Sequence, residues 1–213
     1  MRITVFGATG GVGRQVVRQA LDRGHSVVAV VRDPARLPVV HPHLEVAPVR
    51  GLTDPEPLCA LVRDSEAVVS GVGPGGRRNA DRVATTSTRA ILRALDGSPV
   101  RRLVVVSAAP VGPVPDGEGL LGRYVLTPLV GRALRPVYVD LAEMESEIAR
   151  SSVPWTVVRP PKLLDRPLTA SYRRVVGGNV PRGHWISRAD TAHAMLGALD
   201  DPATVDRHVG VAH

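Results

Sequence analysis

Gly7, Gly10 and Gly13 stand three residues apart in VFGATGGVGRQVV, residues 5–17, directly after an apolar run. Glycine weakens strands and helices alike, so its concentration where one element gives way to another needs a physical reason. A phosphate-binding turn supplies one. Gly7 allows a sharp turn off a strand. Gly10 removes the Cβ that would hold a diphosphate away from the backbone, and Gly13 lets the next helix pack close to its sheet. The first helical turn, entered through Gly11 and Val12, offers unpaired N–H groups and a partial positive charge to an anion. Thr9 can add a hydroxyl contact. The competing reading is a tight turn that binds nothing, but that leaves the clustered glycines without a return.

Other chemistries find little material. His41 and His43 flank a proline, and His184, His193 and His208 have no Cys or acid at ligand spacing, so no metal site is expected. There is no G-x-S-x-G elbow for a hydrolase. Cys59 is the single cysteine, which excludes an internal disulfide and fits a reducing cytoplasm. The net charge of +7 comes from 27 basic residues of which only Lys162 is lysine. They are scattered, with adjacent pairs only at Arg77-Arg78, Arg101-Arg102 and Arg173-Arg174. With 3% aromatic residues for base stacking, attraction of an anionic cofactor is favoured over specific nucleic-acid binding. No apolar run approaches the length of a membrane span. A small-molecule substrate and a monomer or homodimer are expected.

The elements that must position the turn alternate. Ile3 to Phe6, Ser26 to Val31, Leu44 to Val49, Ala67 to Ser70, Leu103 to Val106 and Trp155 to Arg159 read as strands. The second, with VVAVV, is apolar on both faces, as a parallel central strand should be, and the third is weaker. Helices fall between them: Val12, Val16, Val17, Ala20 and Leu21 on one face of the first, and Val83, Ala90, Ile91, Ala94 and Leu95 on another. Asp54-Pro55 opens a short helix. Tyr138 to Arg150 is a further helix, with Leu141, Met144 and Ile148 inward and Glu143, Glu145 and Glu147 mostly outward. Ser187 and Asp190 form a capping box before the last helix, and His208 to Ala212 reads as a final edge strand. Pro110 to Pro136 is too apolar for a plain linker. The pattern predicts one α/β domain over 1–213, a doubly wound parallel sheet (Rossmann fold) with a small C-terminal substrate-side extension. Segments 111–137 and 162–185 are expected to form its lid and substrate side.

GATGGVG, VRDP, GLTDPEPL, AVVSGVG, VVVSAAP, DLAEMESEIARSSVPWTVVRPPKL and ISRADTAHAMLGALDDPA together resemble the atypical short-chain dehydrogenase/reductases. The nearest group is the NAD(P)H-binding, NmrA-like branch that includes biliverdin-IXβ/flavin reductase. The resemblance covers nearly the whole chain except the lid, and implies a nicotinamide dinucleotide cofactor. An acid at the end of the second strand suits NAD, whereas an Arg accommodates the 2′-phosphate of NADP. Here Arg32 takes the first position off that strand, which favours NADP(H). Asp33 either serves a ribose or caps the turn before Pro34. Where relatives read G-D-L-T-D, this chain reads Arg50-Gly51-Leu52-Thr53-Asp54, so adenine contacts should fall to the backbone around Leu52. Ser70, Gly71, Val72 and Gly73, leaving the fourth strand, should line the cofactor ribose.

Most members of the wider class use a Tyr and a Lys four residues later, the lysine lowering the tyrosine pKa. Val158 stands four before Lys162. Tyr124, Tyr138 and Tyr172 are followed at the fourth position by Pro128, Ala142 and Val176. No Tyr-x-x-x-Lys exists. That points to an acceptor needing little acid help, such as a flavin, quinone, tetrapyrrole or enone, with the proton drawn from water. By resemblance, Ser107 lies near the nicotinamide and either orients an acceptor oxygen or ties down the strand exit. Tyr138 either donates a hydrogen bond or is an ordinary half-buried tyrosine. Arg159 and Pro160 stand where relatives hold the nicotinamide through the backbone, with a Pro160 carbonyl free to accept from the carboxamide. Lys162 either meets an anionic substrate or is solvated. Relatives that reduce tetrapyrroles read Asp-His where this chain reads Asp140-Leu141, which argues against a biliverdin-like substrate. The expected function is therefore an NADPH-dependent oxidoreductase passing hydride to a flat conjugated acceptor. The alternatives are a non-catalytic NADP-binding redox sensor, or an isomerase or cyclase retaining the fold.

Overall fold

Six valine-rich runs build the centre of the sheet. In the computed structural model, which describes residues 1–73, 82–114 and 134–213, they are β1 (Arg2–Phe6), β2 (Ser26–Val31), β3 (Leu44–Pro48), β4 (Ala67–Ser70), β5 (Leu103–Val106) and β6 (Trp155–Arg159). Later strands are β7 (Lys162–Leu164), β8 (Arg173–Val176), β9 (Trp185–Ser187) and β10 (Arg207–Ala212). The main sheet runs β3-β2-β1-β4-β5-β6-β10-β8. Its pairs are parallel except β10 with β8, and β7 pairs with β9 in a separate two-stranded ribbon. The 3-2-1-4-5-6 order is that of a Rossmann fold.

Alternate residues of each central strand feed opposite faces. Ile3 and Val5 join Val104 and Val106 under α1 (Gly11–Asp22) and α5 (Arg188–Gly197). Phe6, Leu103 and Val105 pack on the other side beneath α2 (Glu56–Val62), α3 (Val83–Leu95) and α4 (Arg135–Ala149). The predicted inward positions Val16, Val17, Ile91, Leu141 and Ile148 are all buried. No described helix is long and apolar enough to cross a membrane.

Two expectations are corrected, and Asp140 gains a role. β10 is not an edge strand: β8 continues the sheet beyond it, drawing part of the 162–185 segment into the main sheet. Glu145 is not outward but buried. Asp140 acts within the fold. It reaches across from α4 to accept from the N–H groups of Ala84 (3.0 Å) and Thr85 (2.9 Å), capping the first turn of α3. Most of the 111–137 lid, with Tyr124, lies in 115–133, outside the described residues.

Candidate functional site

β1 ends at Phe6 and the chain turns at Gly7, whose φ of +70° is open to glycine at no steric cost. A Cβ on Gly7 would fall 2.7 Å from the Gly71 carbonyl carbon, and one on Gly13 would fall 2.2 Å from the Gly7 oxygen. These glycines are therefore demanded by backbone packing between the β1 turn, the start of α1 and the exit of β4. The Gly10 N–H closes the turn onto the Gly7 oxygen at 2.9 Å. Gly10 then caps α1 in an extended conformation with no side-chain hydrogen bond, and the first turn carries no acid. The amides of Gly11, Val12 and Gly13 are left to an outside acceptor. β1 passes to α1 on one face and β4 to α3 on the other, so the turn sits at the topological switch point.

A cleft of about 570 Å³ opens there. Gly7, Thr9 and Gly10 form its floor, and Gly71, Val72 and Gly73 line the β4 side. Val49 and Leu52 supply an apolar wall for a flat ring. Three guanidinium residues, Arg32, Arg36 and Arg50, also line the cleft, and among the described residues no carboxylate does. Among the described residues no ion pair holds any of the three. Asp33 is turned to local use: its carboxylate accepts from Ala35 N–H at 3.1 Å, capping the short turn Pro34–Arg36. A turn with unpaired amides and a ring-sized apolar wall fit the diphosphate and the adenine of a dinucleotide, and the positive charge of the three arginines lines the same cleft.

The other expected residues lie away from this lining. Val12 and Gly13 are buried behind the turn. Ser70 is buried, its Oγ 3.4 Å from the Val72 N–H, so it shapes the strand exit. Ser107 is buried with its Oγ beside the Glu145 carboxylate. Arg159 turns its guanidinium inward onto the same Glu145 (Nε to Oε1, 3.1 Å), and His208 Nε2 approaches from β10 at 3.3 Å. Burial works to raise the Glu145 pKa, but the contacts with His208 and Arg159 and the Arg159 charge outweigh it, holding the carboxyl ionised, while the buried Ser107 Oγ nearby has no hydrogen-bond partner among the described residues. The Pro160 carbonyl, expected free, already accepts from Ala109 N–H at 2.8 Å. Tyr138 packs half-buried on the α4 side, and burial raises its pKa, the wrong direction for a proton carrier at neutral pH. The Tyr172 hydroxyl is bonded to His193 (3.0 Å), and no hydrogen bond joins Lys162 to Tyr138 or Tyr172. Lys162 is exposed.

The cleft also recruits Arg36, Thr53, Val83, Thr86 and Ser87, which sequence reasoning passed over. Arg36 had a signal: it follows Arg32 by four residues across a Pro-opened turn. Arg50 and Gly51 were visible as a departure from the G-D of the relatives: Gly51 stands where their acid would, Arg50 where their glycine would, and both line the cleft.

A family model described as NAD(P)H-binding matches residues 7–202. The chain belongs to this NAD(P)H-binding family. Its relatives include the 3-diazoavenalumate denitrifying reductase of a Streptomyces species, 30% identical over 98% of this chain and 75% of that protein. An uncharacterized sugar epimerase, YhfK of Bacillus subtilis, is 24% identical over 97% of this chain and 92% of its own length. Among solved structures, a short-chain dehydrogenase/reductase of Veillonella parvula in complex with NADP superposes with a TM-score of 0.83. It is 19% identical and covers 100% of this chain and 94% of its own.

Proposed function

We propose that this protein is an NADPH-dependent reductase whose acceptor is a small, flat, conjugated molecule. The observation that carries the cofactor choice is that Arg32, Arg36 and Arg50 all line a cleft in which no described lining residue is a carboxylate. A 2′-phosphate there meets guanidinium donors able to bond it in pairs, whereas the ribose diol of NADH meets no acid. The amides of the first turn of α1 take the diphosphate, and Val49 and Leu52 flank the adenine. Gly71 and Gly73 bring backbone, without side chains, against the ribose on the nicotinamide side.

Bound in this way, the nicotinamide supplies a hydride. The chain's own part is to hold two rings at transfer distance, and proximity is the larger share of such a rate. With no Tyr-Lys pair along the chain, an acceptor that tolerates protonation from water fits best. Ser107, whose buried Oγ has no hydrogen-bond partner among the described residues, is the polar group on offer at the β5 exit. Cys59 is a free, exposed thiol, in keeping with the reducing cytoplasm we assign to the protein. The relative named as a reductase supports the redox reading; the relative named as an epimerase supports a second, in which the cofactor is used without net consumption.

Following NADPH absorbance with a panel of flavins, quinones and enones separates the two. Cofactor oxidation matched by acceptor reduction supports the reductase. Product formed without cofactor oxidation favours the isomerase. Tight NADPH binding with no turnover on any acceptor favours a redox sensor.

A further inference from the structure

α1 begins under an arginine that the glycine motif does not include. Arg188 opens α5 between two buried residues, Ser187 and Ala189. Its backbone is fixed on both sides: Ser187 Oγ accepts from Asp190 N–H at 2.8 Å, and the Ala189 carbonyl accepts from Gln19 of α1 at 2.8 Å. From this anchored start the side chain runs across the first residue of α1. A Cβ on Gly11 would lie 2.5 Å from Arg188 Cδ and 2.6 Å from its Nε. The bare Gly11 is thus the space the arginine occupies.

That placement is electrostatically unfavourable in isolation. A helix N-terminus is its positive end, and a cation beside it is repelled. Nothing in the first turn offsets this, since it holds no acid. Arg14 adds a second guanidinium nearby, donating to the Thr9 carbonyl at 3.2 Å. The carboxylate that Arg188 does meet is Asp165, 2.9 Å away on a side chain 88% exposed, a pairing that solvent screens heavily. A rigidly based cation held against a helix N-terminus by a weakly paired carboxylate is placed to donate to an anion seated on that turn.

We propose that Arg188 is a diphosphate-binding residue, contributed from the far half of the chain to the α1 turn. This rests on the dinucleotide reading of the cleft. With an anion seated on the first-turn amides, the guanidinium donates to it from the solvent side. Because the same guanidinium also contacts Asp165 and, at 3.5 Å, the Leu163 carbonyl, the bound diphosphate draws the 162–170 segment toward the cofactor.

Calorimetric titration with two probes tests this: NADP⁺, which has the diphosphate, and adenosine 2′-monophosphate, which has the adenine and 2′-phosphate without it. Arg188→Ala should weaken NADP⁺ roughly tenfold or more and leave adenosine 2′-monophosphate within about twofold. Gly11→Ala, which displaces the arm, should reproduce the NADP⁺ loss in the native background and add nothing to Arg188→Ala. Equal losses for both probes, no loss for either, or full additivity of the two substitutions would overturn the assignment. A native chain that binds neither probe would sink the dinucleotide reading with it, whereas native-like NADP⁺ affinity in Arg188→Ala sinks this inference alone.

Discussion

Replacing Glu145 with leucine should damage the fold far more than its place in a Glu-rich helix suggests. The Glu145 and Arg159 side chains are 6% and 8% exposed, so neither charge can return to water when its partner is lost. Leucine fills the space but leaves the Arg159 guanidinium buried without an anion, beneath Gly112, where a Cβ would already lie 2.5 Å from its Nη1. Breaking such a pair costs about 3–5 kcal/mol. For a domain of this size that is a fall in Tm on the order of 6–20 °C. Thermal and urea unfolding of native protein, Glu145→Leu and the double variant Glu145→Leu with Arg159→Met measure it. The double variant removes both charges and should recover most of the loss. The pH dependence has a definite sign. Glu145 has a lowered pKa in the fold, so its contribution is complete above its ordinary value of 4.5 and is lost as pH falls through the lower folded value. The gap between native and Glu145→Leu protein should therefore close on acidification below pH 4.5. A loss under about 1 kcal/mol at neutral pH, or a double variant no better than the single, would refute this account of the pair.

Arg32→Asp should weaken NADPH about a hundredfold while NADH changes little, because the carboxylate repels the 2′-phosphate but can bond a ribose diol; equal effects on both cofactors in a fluorescence titration would reject the assignment. Asp140→Ala should cost about 2–4 kcal/mol in urea unfolding, since it strips the acceptor from two buried N–H groups at the start of α3; an unchanged midpoint would show that this cap is replaceable.

The sheet centre was legible because its signal is local. VVAVV can hardly be anything but a strand buried on both faces, and the glycine turn follows β1 without a gap. Trp155–Arg159 formed as read. The strands β7, β8 and β9 are three or four residues each, too short to show a period of two, and their pairing depends on partners far along the chain. Glu145 was misread although a signal existed. Leu141, Met144, Glu145 and Ile148 follow the i, i+3, i+4, i+7 spacing of one helix face, which puts the carboxylate among the inward residues. What the sequence could not show was Arg159 arriving opposite it from β6. Arg188 is similar: its own helix start was read correctly from Ser187 and Asp190, but only the packing of α5 on α1 brings it over Gly11.

In the proposed function, the cleft beside Gly7–Gly13 takes a dinucleotide whose 2′-phosphate lies among Arg32, Arg36 and Arg50. Isothermal titration of the native protein with NADPH and then NADH tests it most directly. Saturable binding of one cofactor per chain, with NADPH tighter by about tenfold or more, is the predicted result. Heat of binding from neither, or tighter binding of NADH, would contradict it.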